Sequence, residues 1–166
     1  EEIVYTYDEE GNRIYAVQTR TNSDGSIETV YTWTASTAED DSGDSFENDV
    51  SNNTRLKILD CFGNQITSLD VSNNTMLERL DCSDNLLTSI DVSNNTMLKE
   101  LGCSNNQLTS LNIDKNTSVE VLLIDWNQLT SINLRNNTKL VHLNCGVNKL
   151  TSIDVSQNKN LRLLYC

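Results

Sequence analysis

Five cysteines, a single histidine and five N-x-[ST] tripeptides are the groups in this 166-residue chain most able to do chemistry. Cys61, Cys82, Cys103, Cys145 and Cys166 are spaced by 21 residues or a multiple of it, and Ile124 stands at the one vacant place in the series. Isoleucine substitutes for a packing residue and not for a metal ligand or a disulfide partner. Stacked side chains ~4.8 Å apart are too distant for an S–S bond of ~2.05 Å, and the spacing is no zinc-ribbon spacing. The cysteines therefore read as buried free thiols acting as small hydrophobes, with Cys166, at an open end, able to oxidise. His142 has no Ser or Cys nucleophile with an orienting carboxylate in register with it. No catalytic residue, metal ligand or cofactor site is assigned, and an enzyme is not expected.

The sequons begin at Asn52, Asn73, Asn94, Asn116 and Asn136. Their functional reading is glycosylation. The structural reading rests on two asparagine rows that recur with the repeat: Asn64, Asn85, Asn106, Asn127, Asn148, and Asn53, Asn74, Asn95, Asn116, Asn137, Asn158. Where a chain turns inward its backbone groups lose water, and a stacked amide can donate to and accept from neighbouring loops. On that reading the sequon match is a by-product of the repeat.

The repeat itself begins at Val50. Five 21-residue units run VSNNTRLKILDCFGNQITSLD, VSNNTMLERLDCSDNLLTSID, VSNNTMLKELGCSNNQLTSLN, IDKNTSVEVLLIDWNQLTSIN and LRNNTKLVHLNCGVNKLTSID, followed by a 12-residue partial copy. This period and the pattern L-x-x-L-x-L/C-x-x-N-x-L carry the leucine-rich-repeat signature. A second period lies inside the first. Leu77-x-x-Leu80-x-Cys82-x-x-Asn85 is followed by Leu87-x-x-Ile90-x-Val92-x-x-Asn95. The pattern resembles the nested bacterial leucine-rich repeats with the consensus LxxLxCxxNxLxxLDLxx, the IRREKO class, and the internalin-like surface proteins.

The expected fold is mainly β: a leucine-rich-repeat solenoid over residues 50–166, with two short parallel strands per 21-residue coil, sheet on two sides and little or no helix. Inward rows are led by Val50, Leu56, Leu59, Ile66 and Leu69 and their equivalents. Proline is absent from the chain, as expected where it would remove an inter-coil donor in every repeat.

Residues 1–34 alternate in strand fashion, with turns at Glu10-Gly11-Asn12 and Ser23-Asp24-Gly25. They predict a small antiparallel β-meander whose aromatic side seals the first coil, as solenoid caps must. The stretch from Tyr5 to Arg13 also resembles a YD (RHS-type) unit. Residues 35–49 form an acidic linker with six carboxylates. A calcium loop is the sharper reading of this segment, but the D-x-[DN]-x-[DN]-G spacing is missing.

Formal net charge is −12, and residues 1–49 hold 13 acidic against two basic residues. That balance argues against nucleic acid and against an anionic lipid surface. No run reaches ~18 apolar residues, so no membrane span is expected. The chain opens on Glu1-Glu2 and reads as a mature or trimmed fragment.

Comparing the copies with one another separates two faces. One is monotonous: Thr67-Ser68, Thr88-Ser89, Thr109-Ser110, Thr130-Ser131 and Thr151-Ser152, followed by Asp70, Asp91, Asn112, Asn133 and Asp154. A cation bound along that Asp row is conceivable but unnecessary. The other face varies from copy to copy. Its interface candidates are Ile58, Asp60, Phe62, Arg79, Asp81, Glu100, Val121, Leu123, Asp125, Trp126, His142, Asn144 and Tyr165. Exposed aromatics and aliphatics beside charges are the usual makings of an interface. The alternative is drift on an idle surface.

The resulting expectation is a non-catalytic recognition or adhesion module that binds a protein or glycan through the variable face. Resemblance to bacterial surface repeats implies an extracellular or cell-surface setting. The alternative is a structural spacer or stalk without a specific ligand. The apolar open edge at Leu161, Leu163, Leu164 and Tyr165 points to a longer array or to an end-to-end dimer through the C-terminal coil.

Overall fold

The computed structural model describes the strand backbone of residues 2–7, 13–21 and 27–33, together with Val50 and residues 53–166. The acidic segment 35–49 lies outside the described residues, as does the packing of the meander's side chains.

Nine strands form one sheet in chain order. Three are long: β1 (Glu2–Tyr7), β2 (Arg13–Thr21) and β3 (Ile27–Trp33). Six are three residues each: β4 (Ile58–Asp60), β5 (Arg79–Asp81), β6 (Glu100–Gly102), β7 (Val121–Leu123), β8 (His142–Asn144) and β9 (Leu163–Tyr165). The first two pairings are antiparallel. At β3 the sheet changes sense, and Val30, Tyr31 and Thr32 pair in parallel with Ile58, Leu59 and Asp60. Each later step advances the register by one whole repeat, setting Leu59 beside Leu80 and Leu80 beside Leu101. Among the described residues there is no helix.

The centre of each short strand points inward. Leu59, Leu80, Leu101, Leu122 and Leu143 are fully buried, as are the stacked Leu77, Leu98, Val119 and Leu140 of the neighbouring row. Burying each such side chain contributes about 1.5–3 kcal/mol before chain entropy is subtracted. Because every coil presents an aliphatic residue at the same place, the core is a set of aliphatic columns, opening to solvent at the last coil, where Leu164 is exposed.

The expectation of two strands per coil is corrected: each coil has one strand, and the sheet covers one side. In the second half of the coil the backbone folds on itself. The Asn74 N–H donates to the Val71 carbonyl and the Leu77 N–H to the Asn74 carbonyl, both at 3.0 Å, and the same pair of turns recurs in every copy. Those donors are consumed within the coil and cannot reach the next one. A single backbone bond per step remains on this side, such as Gln107 N–H to Leu87 O at 2.8 Å. The half-repeats share an apolar pattern, but the V-S-N-N-T-x-L segment turns where L-x-x-L-x-C extends.

Side-chain amides supply the bonding that a second ladder would have supplied. Asn106 donates to the carbonyl oxygens of Cys82 (3.0 Å) and Cys103 (3.3 Å) and accepts the Leu87 N–H at 2.9 Å. Asn85, Asn127 and Asn148 repeat this arrangement. The other row departs from expectation. Asn74, Asn95, Asn116, Asn137 and Asn158 each donate to two backbone carbonyls of the preceding coil, yet none of their buried Oδ1 atoms accepts a bond. These amides act as donors only.

Candidate recognition surface

The first and last residues of each short strand point away from the core, which places most of the predicted stripe on one surface. Ile58, Asp60, Asp81, Val121, Leu123, His142 and Asn144 are half-buried there, and Arg79, Glu100 and Tyr165 are exposed. Phe62 and Asp125 follow one residue beyond the Cys position, and Trp126 comes next. Phe62 and Trp126 are the most open aromatics of the upstream coils, at 54% and 59% exposure. The ten strand-end candidates thus share one side of the molecule, and Phe62, Asp125 and Trp126 follow directly after its strands.

Polar side chains on this surface are largely tied down, some within their own coil and some to the adjacent one. The carboxylate of Asp81 accepts the Ser83 N–H at 3.1 Å, Asp60 accepts Phe62 N–H at 3.3 Å, and Asn144 accepts Gly146 N–H at 3.3 Å. Asp125 accepts a bond from the Ser104 hydroxyl, and Asp84 one from the Asn105 amide. Gly102 is buried beneath Asp81: a Cβ there would stand 2.9 Å from the Asp81 Oδ1. The glycine lets that carboxylate lie across the strand. His142 packs edge-on against Tyr165, with ring centroids 5.9 Å apart.

A shallow hollow of about 270 Å³ opens beside the strands, lined by Lys57, Ile58, Glu78, Arg79, Lys99 and Glu100. Glu78 bridges Lys57 (3.5 Å) and Lys99 (2.5 Å), and Arg79 meets Glu100 at 3.5 Å. The hydrogen bond from Lys99 and the charges of both lysines hold the Glu78 carboxyl below its usual range. Along this row signs alternate from coil to coil, so the pairs bind neighbouring coils in register.

Sequence spacing did not reveal the row just past the strands. Gly63, Asp84, Asn105, Trp126 and Val147 occupy equivalent places, and all have positive φ, from 50° to 73°. Glycine, Asp and Asn tolerate this left-handed conformation, whereas for a bulky or β-branched residue it is an outlier. The register enforces it. The Trp126 N–H donates to Gly146 O at 3.0 Å, and the Trp126 carbonyl accepts the Asn106 N–H at 3.1 Å. Val147, absent from the candidate stripe, stands 58% exposed beside Trp126. The run Gly, Asp, Asn, Trp, Val at one repeat position was the signal that could have found it.

The opposite face is monotonous for a geometric reason. Asp70, Asp91 and Asp154 accept the backbone N–H two residues on, each at 2.8 Å, and Asn112 and Asn133 do so at 3.0 and 3.2 Å. Hydrogen bonds from the backbone and then the side chains of Ser72 and Ser93 hold the Asp70 and Asp91 carboxyls below their usual pKa, and the Ser156 side chain, followed by its backbone N–H, does the same for Asp154. Among the described residues no three His, Cys, Asp or Glu side chains gather as a metal ion would require.

The thiols stack as expected. Cys61, Cys82, Cys103 and Cys145 are free and buried, and Cys166 is free and exposed. Desolvation, then the charges of Asp60 and Asp81, push the Cys61 thiol up to about 12. The sequons separate from the asparagine ladders more than their sequence implies. Asn73, Asn94 and Asn136 are exposed and sit one residue before a ladder position, and only Asn116 is itself a buried rung. Asn52 lies outside the described residues.

Coils of 21 residues, one strand each, with stacked Asn and Cys columns, define a leucine-rich-repeat protein of the bacterial kind. Solved structures agree. The functional domain of InlJ from Listeria monocytogenes, described as including a cysteine ladder, is 44% identical over 69% of this chain, with a TM-score of 0.68 over 26% of that chain. An internalin, InlF, from Listeria monocytogenes is 26% identical over 69% of this chain and 36% of its own, with a TM-score of 0.61. The leucine-rich-repeat protein LIC12759 of Leptospira interrogans shares the fold at 20% identity and a TM-score of 0.57, over 69% of this chain and 38% of its own. The chain thus spans between about a quarter and two fifths of the length of these structures. No protein-family model and no curated protein matches it. No helix among the described residues is long and apolar enough to cross a membrane.

Proposed function

We propose that this array is a non-catalytic recognition module that binds a protein or glycan ligand through its variable strand face, in an extracellular or cell-surface setting with adhesion as its role. One observation carries the reading: repeat geometry explains the composition of one face, and on the other it accounts for Asp60, Asp81 and Asn144, which close similar turns, but not for the exposed aromatics. The Asp and Asn side chains of the monotonous face each close a turn. On the strand face, Phe62 and Trp126 stand open to solvent while the core needs neither. Exposed aromatics set among charges are the residues that anchor interfaces. The likeness to internalins supports a surface binding role of the general kind.

The meander of residues 1–34 serves in this reading as the cap of the array, with residues 35–49 as a linker. Its support is the parallel pairing of β3 with β4, which covers the upstream edge of the first coil. An edge left open there would present unpaired backbone groups to any passing strand.

The test is a binding screen of the full chain against immobilised extracellular-matrix proteins, host glycoproteins and a glycan array. A reproducible hit, saturable in solution, is expected. A spacer would give none across the three panels.

A further inference from the structure

The left-handed row divides the recognition face into two chemical halves. In the first three coils its places are filled by Gly63, Asp84 and Asn105, types that adopt this backbone at little cost. In the next two they are filled by Trp126 and Val147, which adopt it at a penalty and expose large apolar surfaces besides. Folding alone would not choose them. Backbone strain retained where three sister positions avoid it marks a position held for another purpose.

Charge divides at the same boundary. From strand start to left-handed residue, the first three coils carry Asp60, Asp81, Asp84 and Glu100 against Arg79 alone, whereas the last three carry only Asp125. The face therefore runs from acidic to apolar along the array. Phe62 is the one exposed large apolar residue in the strand segments of its acidic half, where Ile58 is half-buried.

Resting on the recognition reading above, we infer that the occupant of this face is a basic protein segment with an apolar or aromatic anchor, the anchor seated on Trp126 and Val147 and its Lys or Arg residues over Asp81, Asp84 and Glu100. Coils stack ~4.8 Å apart, so Asp84 lies roughly 10 Å from Trp126 along the array, a span of about three extended residues. A neutral sugar could stack on Trp126 but would leave the carboxylates repelling one another. A cationic segment relieves that repulsion and gains long-range steering.

Two measurements test this. The first needs no ligand: Trp126→Asn and Val147→Asn each place a tolerated residue in the left-handed site, so the urea midpoint should rise or stay level. A fall would show that either side chain is retained for packing, and would overturn the inference. The second uses three synthetic 15-residue peptides: Lys/Arg alternating with Leu/Phe, its Glu counterpart, and an all-polar Lys/Arg counterpart. The basic apolar peptide should bind the full chain, more weakly as salt rises. Trp126→Asn should lose at least tenfold in affinity, and Asp81→Asn with Asp84→Asn should flatten the salt dependence. Equal binding of the acidic peptide, indifference to Trp126→Asn, or no peptide binding would each overturn the inference. A ligand found in the screen and insensitive to salt, such as a neutral glycan, would overturn it too while leaving the recognition reading intact.

Discussion

The side-chain amide of Asn116 donates to the carbonyl oxygen of Asn95 at 2.9 Å, and Asn95 donates to that of Asn74 at the same distance. One asparagine per coil thus hangs from the backbone of its predecessor, forming a column with no register freedom. Each amide also reaches the carbonyl that opens the preceding turn, Val92 for Asn116 and Val71 for Asn95. Removing a rung takes two hydrogen bonds at once, although both carbonyls keep the N–H of their own turn.

Asn116→Ala is therefore expected to destabilise the array by about 2 kcal/mol, since each of the two lost hydrogen bonds contributes about 0.5–1.5 kcal/mol. Asn94→Ala, one place from a rung but exposed, should stay within about 0.5 kcal/mol of the parent. Urea denaturation of the two variants checks this. Equal losses would contradict the ladder.

The thiols give a pH dependence of known sign. An unfolded cysteine ionises near 9, while Cys61 in the folded coil keeps its proton to about 12. Stability from this group is complete below pH 9 and is lost as pH rises from 9 toward 12, because only the unfolded chain gains by releasing the proton. The urea midpoint of the parent should fall over that window more steeply than that of Cys61→Ala. Native alkylation at pH 8 should label Cys166 alone, and labelling in denaturant should reach all five cysteines.

Glu78→Gln breaks both lysine pairs, yet Lys99 is half exposed and all three groups meet solvent. The expected loss is under about 1 kcal/mol, and it should vanish in molar salt. Acid should act the same way. Because the Glu78 carboxyl is depressed, its contribution is present above its unfolded pKa and disappears as pH falls through the folded value. Thermal melts at low and high salt check this.

Gly102→Ala tests the strand face through Asp81 without substituting a candidate contact itself. The new Cβ would press on the Asp81 carboxylate and force it off the Ser83 N–H. A loss of about 1 kcal/mol is expected for that bond, with weakened binding wherever Asp81 serves the ligand. An isothermal titration paired with a urea melt separates the two effects.

Much of this architecture is legible in the residues. Leu80 and Cys82 mark a strand flanked by outward Arg79 and Asp81, and the solenoid follows from repeating that unit. The second half of the coil misleads because Leu87, Ile90 and Val92 copy the apolar spacing of the first half. What differs is Asn74, whose N–H and carbonyl close successive turns, so the chain bends where periodicity alone predicts extension. The left-handed row is written in Gly63, Asp84 and Asn105. Trp126 and Val147 disguise it, because nothing in their own chemistry announces positive φ. Sequence rows show the amide columns, but only coordinates reveal which column donates without accepting.

The central claim is that the variable strand face recognises a ligand, and paired variants test it most directly. One variant carries Phe62→Ser, Leu123→Ser and Trp126→Ser; the other carries Ser68→Lys, Ser89→Lys and Ser110→Lys on the monotonous face. Both are assayed by surface plasmon resonance against the hit of the protein and glycan screen, after circular dichroism establishes that each is folded. The account predicts binding lost in the first and retained in the second. Retention in the first, or equal loss in both, would contradict it.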